Sequence, residues 1–366
     1  MKKPLHHVLA YTAALLLAAQ AYAGPQSLGE LGAKIVSATP PASGVVLTEI
    51  DAGGTAHTVV AGKAIAGPAL QADSVFRTAS NTKTYTAVAI LRLWEEGALK
   101  LDDSIKTHIA PAYVKLLEAD GYNTSRITVR HLLSHTSGMA DHAQTKNFLD
   151  AIVGRPDTAW TRDSHLKALV DWTDPVAAPG VKFAYSDPGY QLLGHIVEQR
   201  TGQPLAQAVR RLLRLDELGL RSTYWENLEP AAPGIGQRAH QYMNGQDSYA
   251  WNPSFDLYGG GGLVATPEDM ARFMFVLFEG KVFKQAATLE AMLAKQGLPE
   301  GSPYRLGVFE YDAGGVKAYG HHGFWGTVAF YVPSQRRALA FALTQQEAFK
   351  PSFQLLREHV GLTALK

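Results

Sequence analysis

The chain has 366 residues, with 34 Lys and Arg against 33 Asp and Glu, and it contains no cysteine. That composition excludes disulfide staples, cysteine–zinc sites, thiol nucleophiles and a lipid-modified cysteine. A near-neutral balance without a basic run leaves no electrostatic footprint for nucleic acid, so no nucleic-acid partner is expected.

At the N-terminus, Lys2 and Lys3 precede an apolar run from Val8 to Gln20, and Ala21–Ala23 form a small-x-small tripeptide. This is the order of a secretory signal peptide, so residues 1–23 are expected to be removed and Gly24 to begin the mature chain. The apolar core is too short to span a bilayer. An exported protein, periplasmic or secreted, without stable membrane insertion is therefore expected, and its long chain can bury a core sufficient for folding.

Next, "GVVLTEI" and "HTVVAGKAI" flank "DAGGTA", which reads as a β-hairpin over residues 44–65. From Ser80 onward "KTYTAVAILRLWEEG" is apolar almost all round, the pattern of a buried helix, with Gly97 placed to end it. Helices and Pro-, Asp- and Gly-rich loops fill the middle. One helix is expected from "DPGYQLLGHIVEQRTG", with Asp187 as N-cap and Pro188 at N1. Another follows from "TPEDMARFMFVLFEG", with Thr266 as N-cap and Gly280 at its end. Four strand-like segments come after it: "SPYRLGVFEY", "VKAYGHH", "GTVAFYV" and "RALAFALT". A final helix is expected over Pro351–Val360. Strands at both ends and helices between them give an α/β (α+β) fold, an antiparallel sheet formed by both chain ends and flanked by helices. Residues 24–366 form a single unit on this reading. Its α/β part covers about 24–85 and 262–366, and a mostly helical insert covers about 86–261.

Ser80 and Lys83 stand three apart, on one helix face. A lysine amine there can reach the serine hydroxyl, and a buried lysine loses affinity for its proton. The plain alternative is a serine cap beside a surface lysine, and by spacing alone it is the favoured reading, because S-x-x-K arises often by chance.

The surrounding stretch "VFRTASNTKTYTAVAILRLWEEGALKLDDSI" resembles the start of the penicillin-recognising serine hydrolases. That family includes class C β-lactamases, DD-peptidases, D-aminopeptidases and esterases. "ITVRHLLSHTSGM", "FAYSDPGYQLLGHIVEQRTG", "GGGGLVATPEDMARF" and "YGHHGFWGT" resemble further signatures of the family in the same order. The resemblance implies Ser80 as nucleophile, Lys83 as its proton partner and Tyr185 as a second acid/base group near the leaving group. It places His321 and Gly323 on the strand lining the site, and the backbone N–H groups of Ser80 and Phe324 in the oxyanion hole. For Tyr185 to act as a base, Lys83 must lower a phenol pKa that is ordinarily ~10.

Two departures bear on the substrate. Asp187 stands where the family commonly has asparagine; it either caps the helix or faces the pocket, where a carboxylate that only accepts hydrogen bonds would suit an amine. His321 replaces a lysine that would offer a carboxylate a permanent cation. His131 and His135 have the spacing of two zinc ligands on a helix but lack the glutamate and a third ligand, so no metal is expected, and no cofactor. His322 should face away from His321 on a strand. Gly259–Gly262 lacks the Lys-Ser/Thr of a phosphate loop and reads as a close backbone approach. Trp251, Phe255, Tyr258, Phe324 and Trp325 are candidates for an apolar pocket.

The resulting expectation is an exported serine hydrolase acting through an acyl-enzyme on a small-molecule, peptide or ester substrate. A D-alanyl-D-alanine carboxypeptidase or similar D-peptidase is the first reading. A carboxylesterase, a β-lactamase and a non-catalytic penicillin- or peptidoglycan-binding protein are the alternatives. Oligomeric state is not fixed by the sequence.

Overall fold

In the computed structural model, which describes residues 27–363, the first hairpin is β1 (Gly44–Ile50) and β2 (Ala56–Gly62). The second strand stops short of Ile65 because Gly62 turns to φ +71°, a conformation glycine adopts readily. The signal-peptide segment lies outside the described residues.

Short strands follow at β3 (Phe76–Arg77), β4 (Tyr224–Trp225), β5 (Tyr242–Met243), β6 (Gln246–Asp247) and β7 (Leu263–Ala265). The C-terminal meander is β8 (Phe309–Ala313), β9 (Val316–Gly323), β10 (Thr327–Val332) and β11 (Arg337–Leu343). Six strands form one sheet in the order β2-β1-β11-β10-β9-β8, so the N-terminal hairpin docks beside the last strand. Val45 lies opposite Leu343, and the pairing is antiparallel. Strand order β3-β7-β4 forms a second, small sheet, and β5 pairs with β6. Of the expected strand "SPYRLGVFEY" only the end is a strand; Tyr304 before it is instead buried against His135 and Tyr190.

The helices, in chain order, begin with α1 (Leu28–Ser37), α2 (Thr82–Glu95), α3 (Pro111–Ala119), α4 (Val129–Leu133), α5 (Lys146–Gly154) and α6 (Arg162–Trp172). They continue with α7 (Asp187–Thr201), α8 (Leu205–Leu213), α9 (Pro267–Phe278), α10 (Ala286–Leu293) and α11 (Phe349–His359). Thr266 caps α9 as expected, its side chain accepting from the Asp269 N–H. Among the described residues no helix is long and apolar enough to cross a membrane.

The sheet is covered on both faces, which is why β10 is buried along its whole length. Val328, Phe330 and Val332 point toward α1 and α11, packing with Leu31, Ile35 and Leu356. Ala329 and Tyr331 point the other way, toward α9 and the helical region. Helix α2 is buried continuously from Thr82 to Leu93 and packs on α7 and α8. The turn leading into its N-terminus lies against β9 and β10 of the sheet, and the site forms there.

Candidate active site

Ser80 lies in a 3-10 turn, Ala79–Asn81, that leads directly into α2. Ala79 is held at φ +47°, a left-handed conformation that costs a non-glycine residue on the order of 1 kcal/mol or more. The sheet supplies the restraint. Asn81 Nδ2 donates to the Thr78 carbonyl at 3.0 Å and to Thr327 Oγ1 at 2.9 Å. Thr327 in turn donates to the same carbonyl at 2.8 Å. Gly323, ending β9, approaches so closely that a Cβ there would stand 2.1 Å from the Thr78 carbonyl oxygen. Phe324 comes next, and its residue lines one pocket with Ser80.

Lys83 is fully buried, and its amine donates 3.0 Å to Ser80 Oγ and 2.6 Å to the Gly260 carbonyl. A third contact, 2.5 Å, pairs it with Asp187 Oδ1. An ammonium has three N–H donors; two of them are in hydrogen-bond geometry, while the contact with Asp187 Oδ1 is a close ion pair outside that geometry. The glycine run thus contributes a backbone carbonyl to the lysine, in keeping with the close approach read from the sequence. Asp187 is not the helix cap. Ser186 takes that role, its Oγ accepting from the Gly189 N–H at 3.3 Å and donating to the Ala140 carbonyl at 2.8 Å. With the cap filled one residue earlier, the Asp187 carboxylate faces Lys83.

Tyr185 joins them through a hydrogen bond between its hydroxyl and Ser80. Its ring centroid lies 4.9 Å from the Lys83 amine and 4.2 Å from the His135 ring. Burial and then the Asp187 charge push the phenol well above its usual range. Tyr185 is therefore a protonated phenol, contrary to the expectation that Lys83 would lower it: burial first, and then the Asp187 charge, disfavours the phenolate. His135 was not singled out for the site from sequence, yet it supports Tyr185 and accepts the Ser186 N–H at 3.1 Å through Nδ1. Burial, then the Lys83 charge, hold it neutral. His131 is turned elsewhere, into a capping box with Thr128.

Two further carboxylates, also unanticipated, stand near Asp187. Asp141 accepts the Asp187 N–H at 3.3 Å and the Gln144 amide at 3.0 Å. Asp256 packs its carboxylate against Gly261, where a Cβ would lie 2.0 Å from Oδ1. Burial, followed by the Asp187 charge, pushes each of the two up to about 7. No motif marks them, because they reach the site from separate loops.

His321 and His322 take opposite faces of β9 as expected. His321 lies beside Tyr185 and Phe309, whereas His322 contacts Tyr311 and the aromatic rings of α11. His321 Nδ1 lies 2.7 Å from the His322 carbonyl. A carbonyl only accepts, so Nδ1 carries the proton and Nε2 is a lone-pair acceptor. Burial, then the neighbouring His322, keeps the ring neutral.

Ser80, Asp187 and Asp256 share a pocket with Ala143, Phe148, Leu149, Ile152, Phe255 and Phe324. Phe324 and Leu149 remain 40% and 38% exposed, so the mouth is apolar and the polar groups are gathered at the base. Of the other candidate aromatics, Trp251 and Trp325 are core, and Tyr258 bonds the Trp160 carbonyl. A wider groove beside Trp94, Asp102, Arg130 and Gly297 contains none of these groups.

A family model described as Beta-lactamase matches residues 33–364. The chain belongs to the beta-lactamase family. This is a family of serine hydrolases. Its curated relatives include the D-alanyl-D-alanine-carboxypeptidase/endopeptidase AmpH of Escherichia coli (strain K12), 28% identical over 205 residues, or 56% of this chain and 49% of that protein. Esterase EstB of Burkholderia gladioli is 36% identical over 171 residues, 45% of this chain and 42% of that one. The chain thus spans about half or less of the length of these curated relatives. Among solved structures, a D-stereospecific amidohydrolase from Streptomyces sp. superposes with TM-score 0.79 at 24% identity, covering 93% of this chain and all of that one. The D-amino acid amidase of Ochrobactrum anthropi SV3 gives 0.72 at 23% identity, covering 91% of this chain. These two likenesses establish the beta-lactamase-family fold.

Proposed function

We propose that the protein is an exported hydrolase that forms an acyl-enzyme on Ser80, and that its substrate is a small amide or ester with an apolar acyl group bearing a free amine. Ser80 Oγ attacks the carbonyl carbon as its proton passes to Lys83 Nζ, and the carbonyl electron pair moves to an oxygen held by the backbone N–H groups of Ser80 and Phe324. Tyr185, a protonated phenol, donates to the departing nitrogen or oxygen. Water then releases the acyl group.

One observation carries the choice of substrate: among the described residues the pocket holds carboxylates but no uncommitted cation. Lys83 is paired with Asp187, and His321 is neutral. A β-lactam or a C-terminal peptide carries a carboxylate that would find no partner there. An ammonium would meet Asp256 and favour its ionised form, while the apolar substituent would lie against Phe148, Leu149 and Phe324. The D-stereospecific amidohydrolase and D-amino acid amidase names among the similar structures are compatible with such a substrate. The carboxypeptidase reading is less so. A simple esterase is the second reading, favoured by the apolar mouth and the likeness to Esterase EstB.

The test compares kcat/KM for D- and L-phenylalanine p-nitroanilide and methyl ester, each with a free and an acetylated amine. Intact mass is measured after exposure to a fluorescent penicillin and a fluorophosphonate. A preference of about tenfold or more for the free amine, with fluorophosphonate on Ser80, supports the proposal. Equal rates for the acetylated esters point to the esterase, and a lasting penicillin adduct points to a peptidase or β-lactamase. Export is tested by sequencing the N-terminus of the mature protein, expected to begin at Gly24.

A further inference from the structure

The three oxygen atoms around the Lys83 amine, two in hydrogen bonds and one in an ion pair, are chemically unequal. Ser80 Oγ is itself to be deprotonated, and the Gly260 carbonyl has negligible basicity. Asp187 is a carboxylate at 2.5 Å. A lysine held as an ammonium by that carboxylate has no lone pair with which to take the serine proton. It must release one proton as it receives another, and of its three partners only Asp187 can hold it.

From this geometry we infer that Asp187 is a positioning residue that takes up a proton: it fixes Lys83 as the ammonium in the resting enzyme and accepts a proton from it as Ser80 attacks. The inference rests on the reading of Ser80 as nucleophile. The step balances. The Ser80 O–H bond breaks and its proton passes to Lys83 Nζ, while one Nζ proton passes to Asp187 Oδ1. Ser80 Oγ forms the bond to the substrate carbonyl carbon, whose π pair becomes the oxyanion. Lys83 stays positive throughout, Asp187 goes from anionic to neutral, and the negative charge moves to the tetrahedral intermediate. When that intermediate collapses, the carboxylic proton returns through Lys83 and Tyr185 toward the leaving group.

The surroundings suit this role. The Asp141 carboxylate accepts the Asp187 backbone N–H, fixing the start of α7, and Ser186 supplies the cap. Asp187 is thereby free of any capping duty and is aimed at the amine. Charged or titratable groups facing it from the packed elements are Lys83 on α2, Tyr185 beside its own helix, Asp141 and His142 on the preceding loop, and Asp256 beside the glycine run.

The experiment follows the rate of Ser80 labelling by a fluorophosphonate, and of turnover of a p-nitrophenyl ester, from pH 5 to 10. It uses the wild type, Asp187→Asn and Asp187→Glu. The active wild-type form is the Lys83–Asp187 ion pair, so its rate should hold down to mildly acidic pH. Asp187→Asn removes the proton acceptor, so the reaction then needs the free amine. Its labelling rate at pH 7 should fall about a hundredfold and recover as pH rises, moving the acid limb up by roughly one pH unit or more. Asp187→Glu retains a carboxylate and should keep the acid limb of the wild type at a reduced rate. The inference is overturned if the Asn variant, shown to be folded by cooperative unfolding, keeps the wild-type limb. It is equally overturned if the Glu variant needs alkaline pH. Should Asp187→Asn not fold, the Glu variant decides alone. Labelling that persists in Ser80→Ala would instead overturn the nucleophile reading, and this inference with it.

Discussion

Gly323 and Thr78 meet almost backbone to backbone: a methyl group on Gly323 would stand 2.1 Å from the Thr78 carbonyl oxygen and 2.4 Å from Thr327 Oγ1. Neither obstacle is a flexible side-chain end, because Thr327 Oγ1 is itself bonded to that carbonyl. Gly323→Ala must push β9 away from the turn that carries Ser80. The expected cost is about 1–3 kcal/mol of stability and on the order of a hundredfold in acylation rate, because reacting groups tolerate little misplacement. Urea unfolding and fluorophosphonate labelling kinetics measure the two effects separately.

Removing Lys83 should damage both stability and activity. Lys83→Met leaves Asp187 without its counter-ion beside Asp141 and Asp256. Breaking a buried pair from one side costs about 3–5 kcal/mol, and labelling should cease. The double variant Lys83→Met with Asp187→Asn should recover part of that stability with no return of activity. A double-mutant cycle in urea checks it, and simple additivity would contradict the pairing.

Asp141 makes stability depend on pH in a defined direction. Its native carboxyl is pushed up to about 7 by burial and the Asp187 charge, whereas an unfolded aspartate titrates near ~3.9. Between those values the native state binds more protons, so stability falls as pH rises from about 4 to about 7 and then levels off. Asp141→Asn should flatten that slope. The variant should exceed the wild type at pH 8 by on the order of 2 kcal/mol and lose its advantage at pH 4.5. Urea midpoints at the two pH values test this.

Asp256 should set the preference for an amine. Asp256→Asn keeps the shape against Gly261 but cannot provide a charge. The ratio of kcat/KM for free-amine over acetylated substrates should fall about tenfold. An unchanged ratio would remove Asp256 from substrate recognition.

Much of this arrangement could be read from the sequence where the chemistry is local. Ser80 and Lys83 are three residues apart at a helix start, and their contact follows from helix geometry. Thr266 followed by Pro267 and an apolar run could hardly be anything but a capped helix. At α7, however, Ser186 and Asp187 are both good caps. The choice is made by the Ala140 carbonyl, 46 residues away, which takes the Ser186 hydroxyl. That choice releases Asp187 toward Lys83, and the released charge adds to burial in keeping Tyr185 a phenol. Asp141 and Asp256 were hidden for a related reason: only folding brings their loops to α7. The first half of "SPYRLGVFEY" has a strand pattern, but Tyr304 is drawn into the aromatic cluster of His135 and Tyr190.

The restraints on the Ser80 turn also set an order of events. Asn81 reaches Thr327 across 246 residues, and Thr327 reaches the Thr78 carbonyl across 249. Contacts so distant in sequence close slowly, after local helices have formed. Ala79 will not stay left-handed without them, because the isolated segment gains nothing to offset the strain. A chain still lacking its last strands can therefore hold a folded α2 and still present an ordinary, unreactive serine. Hydrolytic capacity is acquired only at the end of folding, so the unfinished chain is spared a reactive centre.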